Sequence, residues 1–185
     1  MTLTKTPICD FGKKADYFNL LSINGSNVSL EEIRGKNGTL IMFICNHCPY
    51  VKAIIGELIN DCKSLKKDGI NSVAIMSNDT INYPEDSFEK MKEFALRHSF
   101  GNIEYLFDQS QKIAKNYGAV CTPDFFGFNK DLKLQYRGRL RELKNLEPVK
   151  SGESDLKIAM QMIAKTQKGP EKQIPSMGCN IKWFK

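Results

Sequence analysis

No apolar run in this 185-residue chain approaches the roughly 18 residues that would span a bilayer, so no membrane segment is expected. The opening stretch MTLTKTPICDFGKK has no apolar core segment either, so no secretory signal is expected and the cytoplasm is the expected address. No G-x-G-x-x-G follows an apolar strand-like run, so no nucleotide, flavin or other cofactor is expected. Histidine is scarce, at 2 residues, and there is no second C-x-x-C to complete a four-ligand zinc site. Cysteine, at 6 residues, falls far short of a secreted disulfide scaffold. Ordinary proportions of hydrophobic (41%) and charged (26%) residues exclude a disordered, collagen-like or coiled-coil chain and leave one α/β domain as the expectation.

Charge is unevenly spread. Residues 1–129 carry 14 Lys+Arg against 15 Asp+Glu, whereas residues 130–185 carry 13 against 6. With no helix-turn-helix, zinc-finger or stacking-aromatic motif beside it, the basic last third reads as solvated surface, with no nucleic acid and no membrane as partner. Arg137, Arg139 and Arg141 alternate, and a strand through them would set all three on one face, either solvated or facing an anion or a partner protein.

The element pattern is α/β. A hairpin is expected over residues 15–28 around Asn24-Gly25, then a short helix opened by the Ser29/Glu32 capping box and closed by Gly35. TLIMFI (39–44) and INSVAIM (70–76) read as strands buried on both faces. Between them Val51, Ile54, Ile55, Leu58, Cys62 and Leu65 recur at helical spacing after Pro49. A helix at about 85–98, a strand at 103–107, a helix from Asp108/Gln111 to Gly118, strands at 125–129 and 132–139 and a helix at about 153–168 follow. The tail, 171–185, has no clear period.

Chemistry concentrates in Cys45-Asn46-His47-Cys48, between the first buried strand and the helix that follows it. A turn at a helix N-terminus brings two such sulfurs within disulfide reach, and the unpaired amides there stabilise a thiolate. The more exposed sulfur is therefore expected to ionise below about 8.5, helped by His47. The same four residues are also compatible with two packed thiols or with half of a zinc site.

The order ADYFNL–turn–VSLEEIRGK, TLIMFI, CNHCPYV resembles the thioredoxin-like superfamily, in the branch of alkyl hydroperoxide reductase and thiol-specific antioxidant (AhpC/TSA) domains. GAVCTPDFFGFN, LQYRGRLRE and SMGCNIKWF resemble a peroxiredoxin-like part of that branch, so the likeness runs from about residue 15 to 183. It implies a thioredoxin-like fold with a central mixed β-sheet, helices on both faces and an N-terminal hairpin. The expected layout is an extension (1–14), the domain (15–169) and a C-terminal tail (170–185) packed on or near it. By match, Pro123 would be a cis-proline opposite the cysteine pair, Thr122 would flank a substrate pairing like an added strand, Cys45 would attack and Cys48 would resolve.

The match has departures. Ile44 stands where a tryptophan often precedes the first cysteine, and the thioredoxins' buried carboxylate has only Thr39 in its place, leaving Asp79 as a candidate proton acceptor. The peroxiredoxin signature Pro-x-x-x-Thr-x-x-Cys, aligned on Cys48-Pro49, finds Ile41 and Cys45 in place of its proline and threonine, which disfavours fast peroxide reduction. An arginine among 137, 139 and 141 remains available to support a thiolate.

Cys121, two residues before Pro123, reads as a third redox thiol or as buried structure. Cys179 reads as a resolving thiol on a mobile tail, unless Trp183 and Phe184 pin that tail to the core. Cys62 belongs to packing, Cys9 to an exposed extension, and His98 to a helix C-terminus. The leading expectation is a thiol–disulfide oxidoreductase acting on a disulfide-containing protein or small-thiol substrate, with electrons from a thioredoxin- or glutathione-type thiol. A peroxiredoxin-like antioxidant peroxidase is the alternative, and a Cu(I) carrier using Cys45, Cys48 and a histidine is a third.

Overall fold

A computed structural model describes residues 2–7, 10–101, 103–149 and 151–185, so the expectation for Cys9 lies outside the described residues. In chain order the elements are β1 (Leu3–Lys5), β2 (Asn19–Ser22), β3 (Asn27–Ser29), α1 (Leu30–Ile33), β4 (Gly38–Phe43), α2 (Pro49–Lys67), β5 (Ile70–Met76), α3 (Phe88–Arg97), β6 (Glu104–Phe107), α4 (Lys112–Tyr117), β7 (Cys121–Thr122), β8 (Asp124–Asn129), β9 (Leu134–Tyr136), β10 (Leu143–Lys144), β11 (Glu147–Pro148), α5 (Asp155–Thr166) and β12 (Met177–Asn180).

Alternation inside continuously apolar strands builds two cores on one sheet. Leu40 and Met42 of β4, with Ala74 and Met76 of β5, pack against α2, α3 and α5. Ile41, Phe43, Val73 and Ile75 point the other way, onto α1 and α4. A period of two on strands buried on both faces is what makes TLIMFI and INSVAIM read as unbroken apolar runs. The sheet runs β3-β2-β6-β5-β4-β8-β9, with β4, β5 and β6 parallel and β2, β8 and β9 antiparallel to their neighbours. It is a mixed central sheet with helices on both faces and an N-terminal hairpin, as expected.

The strongest local signals hold. Ser29 accepts from the Glu32 amide and Glu32 from the Ser29 amide, closing the capping box of α1. In α2, Pro49 occupies the first turn, and Val51, Ile54, Ile55, Leu58, Cys62 and Leu65 are all buried. Each such side chain contributes about 1.5–3 kcal/mol by leaving water. Cys62 is packing, as its spacing indicates, and burial pushes its thiol up to about 12.

The expected strand over 132–139 is shortened to Leu134–Tyr136, and the arginine stripe does not form. Arg137 turns inward, its Nη2 2.9 Å from Asp124 Oδ2, with its guanidinium over the Phe126 ring. Arg139 pairs with Asp155 at 2.7 Å, and Arg141 pairs with Glu57 while being only 8% exposed. Each guanidinium finds its own carboxylate on a different element, and that outweighs extending the strand. The expected solvated face is therefore corrected to three ion pairs, one of them buried on both sides.

Register places the site. Phe43, the last residue of β4, pairs with Asp124, the first of β8. Cys45 follows the end of β4 and Pro123 precedes β8, so both arrive at one edge of the sheet. There a second, three-stranded sheet forms in the order β1-β12-β7. The tail without sequence period thus supplies its central strand.

Candidate active site

Cys48 is the N-cap of α2, and Cys45 lies in the turn between β4 and that helix. The expected exposed sulfur is absent: Cys45 is 1% and Cys48 0% exposed. Thr122 touches both, its Oγ1 3.3 Å from the Cys45 sulfur and its carbonyl oxygen accepting from the Cys48 thiol at 3.2 Å. The Thr122–Pro123 peptide is cis.

Electrostatics separate the two cysteines. The Cys48 thiol is held down to about 5, chiefly because the Cys45 thiol donates to it, with further donation from the Cys179 thiol and from the Val51 and Cys179 amides. Together these donated hydrogen bonds, led by that of Cys45, outweigh the cost of burial. Cys45 moves the other way: burial pushes its thiol well up, and its bond to Cys48 and the Asp86 charge add to the shift. The opposed directions favour ionisation of Cys48 over Cys45, whereas the resemblance implies attack by Cys45.

Asp86 is the buried carboxylate that the strand sequence lacked. It sits on a single 3-10 turn, Pro84–Asp86, and is 0% exposed. Its Oδ1 accepts the Asn46 and His47 amides at 2.8 and 3.3 Å, and its Oδ2 accepts Asn78 Nδ2 at 2.7 Å and lies 2.7 Å from His47 Nδ1. The hydrogen bond to Asp86 raises the His47 pKa above its ordinary value against the opposing effect of burial. The imidazole stacks on Tyr83, with ring centroids 5.8 Å apart. Asn46 is fixed in turn by the buried Tyr105 hydroxyl, which donates to its Oδ1 at 2.9 Å. The only local signal for Asp86 was an acidic residue in the first turn of an expected helix. The expected acceptor, Asp79, is instead occupied with its own turn, accepting the Ile81 and Asn82 amides.

Cys45, His47 and Asp86 each offer one atom within 4.8 Å of the others, the only such cluster of three among the described residues. The Asp86 oxygens already take four protein hydrogen bonds, so a cation there would have to displace them. Cys121 is buried with its thiol directed at the Pro123 carbonyl, 3.6 Å away, and burial raises its pKa steeply. Cys179 is brought in fully, its sulfur 3.0 Å from that of Cys48. It arrives on a fixed strand, not on a mobile tail. His98 caps α3 and packs on Phe94, with centroids 4.5 Å apart.

A cavity of about 260 Å³ opens beside Pro123, walled by Tyr50, Ile54, Leu140, Leu143 and Met177. No helix among the described residues is long and apolar enough to cross a membrane.

Comparison with known proteins agrees with this architecture. An uncharacterized conserved protein from Geobacillus kaustophilus is 39% identical, with 100% of this chain and 97% of that one covered and a TM-score of 0.94. A hypothetical protein from Sinorhizobium meliloti is 33% identical, with 98% of each chain covered and a TM-score of 0.90. The thioredoxin domain of a thiol-disulfide oxidoreductase from Bacteroides vulgatus shares the fold at 16% identity, over 75% of this chain and 91% of that one, with a TM-score of 0.59. No curated protein matches the chain. Residues 11–137 match the AhpC/TSA family, and with its thioredoxin-like fold the chain belongs to that family.

Proposed function

We propose that this protein is a thiol–disulfide oxidoreductase in which Cys48 attacks and Cys45 resolves. What supports the reading is the Cys48 sulfur at the N-cap of a long helix, 3.2 Å from the carbonyl oxygen of Thr122 beside the cis-proline, with its pKa lowered by donated hydrogen bonds. The Cys48 thiolate attacks one sulfur of a substrate disulfide, and the other sulfur leaves as a thiolate. Cys45 then gives up its proton and attacks the Cys48 sulfur. The Cys45–Cys48 bond forms, the mixed disulfide breaks and the second substrate thiol departs. His47, oriented by Asp86 and within 4.8 Å of the Cys45 sulfur, is the group placed to take that proton. A thiol donor of the thioredoxin or glutathione type returns the pair to the dithiol.

The test is turnover of a disulfide substrate with a dithiol donor. Cys48→Ser abolishes the reaction, and Cys45→Ser/Cys179→Ser accumulates a mixed disulfide on Cys48. Full turnover in Cys48→Ser overturns the reading.

Burial of both sulfurs favours a second reading with a small oxidant. A peroxide would convert the Cys48 thiolate to a sulfenic acid and leave as the alcohol or water, and Cys45 would condense with it, releasing water. Against it, Cys45 stands where the peroxide-orienting threonine would be, and all three nearby arginines are committed to carboxylates. Stopped-flow reaction with hydrogen peroxide no faster than free cysteine ends this alternative.

A further inference from the structure

The edge of β7 beside Pro123 is where an extended substrate would pair, by the general mode of strand addition to an open sheet edge. Here that edge is filled by the chain itself. β12 pairs antiparallel with β7, and the residue opposite Thr122 is Cys179. Thr122 is the residue that contacts both active-site sulfurs, so the register sets a third sulfur against the same point. We propose that β12 is a built-in surrogate substrate and that Cys179 is the third thiol of the active site, taking the disulfide from Cys45–Cys48 to Cys48–Cys179 within one chain. This deepens the oxidoreductase reading and rests on it.

Three observations carry the proposal. The Cys48 and Cys179 sulfurs are 3.0 Å apart, so about 1 Å of closure makes a bond of roughly 2.05 Å. Gly178 is what allows the approach: a Cβ there would overlap the Thr122 carbonyl, lying 2.7 Å from its carbon. Finally, the strand is held on both sides of Cys179. Ser176 Oγ donates to the Pro123 carbonyl at 2.6 Å, the Ile181 amide to the Val120 carbonyl at 3.1 Å and the Lys182 amide to Asn78 Oδ1 at 2.9 Å. Asn78 is the residue whose amide group also holds Asp86. The third thiol is thus tied to the network that orders the first two.

The step balances without an added oxidant. Cys179 loses its proton and attacks the Cys48 sulfur of the Cys45–Cys48 disulfide. The bond between 45 and 48 breaks, the bond between 48 and 179 forms, and Cys45 leaves as a thiolate that takes up the proton Cys179 released. In the product Cys48 is capped and β12 is covalently fastened in the substrate position. An external polypeptide is then excluded until a donor thiol reduces the bond.

The experiment is titration of the full-length protein through glutathione redox buffers, alkylation of remaining thiols, and mass mapping of tryptic peptides. Cys45 and Cys48 share peptide 37–52, and Cys179 lies on peptide 173–182, so the proposed bond appears as a cross-link between two peptides. The expected result is that cross-link in the wild type, its retention in Cys45→Ser, where Cys179 attacks a glutathione mixed disulfide on Cys48 and glutathione leaves, and its loss in Cys179→Ser, which keeps only the loop within 37–52. Gly178→Ala, which unseats β12 and leaves every thiol in place, reduces the cross-link at least tenfold. A wild type that forms Cys45–Cys48 at every poise and never the cross-link overturns this proposal alone. A wild type with no disulfide on Cys48 at any poise overturns the oxidoreductase reading beneath it.

Discussion

His47 Nδ1 and Asp86 Oδ2 lie 2.7 Å apart, a buried carboxylate orienting the imidazole that interrupts the cysteine pair. That bond dominates the raised pKa of His47, and burial opposes it. Asp86→Asn removes the charge and leaves the burial, so the His47 pKa falls. With only 2 histidines in the chain, NMR titration of the imidazole protons follows it directly. Because Asp86 also accepts two backbone amides, the same variant loses about 1–3 kcal/mol of stability in urea denaturation.

Cys48 is expected to alkylate as a thiolate from acidic pH upward. Its reaction with iodoacetamide titrates in the wild type below the free-thiol value of about 8.5, toward about 5, and in Cys45→Ala, which removes the largest lowering contribution, the midpoint rises. The linkage sign follows. A thiol whose folded pKa is depressed contributes stability that is fully present above its unfolded pKa and is lost as pH falls through about 5. A wild-type midpoint near 8.5 contradicts this.

Thr122→Val deletes the hydroxyl that lowers the Cys45 pKa and keeps the side-chain volume. Cys45 becomes harder to deprotonate, so resolution of a mixed disulfide on Cys48 slows. Quenched-flow trapping of the mixed disulfide reads the lifetime, while its rate of formation stays near that of the wild type.

Arg137→Ala strands a buried carboxylate. Burial raises the Asp124 pKa to about 6 even with Arg137 beside it. Losing the partner costs about 3–5 kcal/mol at pH 8. The loss is smaller at pH 5, because a raised folded pKa makes the protonated form the one that folding favours, an advantage present below the unfolded value of about 4 and lost as pH rises through about 6. Urea midpoints at the two pH values test the sign.

Legibility in the sequence followed the range of the interaction. β4, α2 and β5 could be read because Leu40 to Phe43, the apolar face from Val51 to Leu65, and Val73 to Met76 express their environment within one element. The cysteine pair was legible from its place between strand and helix. β7 and β12 were not, since strands of two and four residues containing Cys, Thr, Gly and Asn carry no alternation and exist only by pairing with strands distant in sequence. Asp86 was hidden for the same reason: its role comes from the Asn46 and His47 amides, some 40 residues away in sequence. The attacking role of Cys45 came from the family match, and exposure does not separate the two sulfurs, since the fold buries both.

The small sheet has one more consequence, for synthesis of the chain. β12 is completed only by the last residues, and Cys179 follows Cys48 by 131 positions. At about 5–20 residues per second, the ribosome takes roughly 7–26 s to cover that distance. Through that interval the nascent chain carries Cys45 and Cys48 without the strand that will cover them. A newly made molecule therefore meets cellular oxidants and thiols with its reactive pair open, and the window closes when β1, from the beginning of the chain, pairs with β12 from its end.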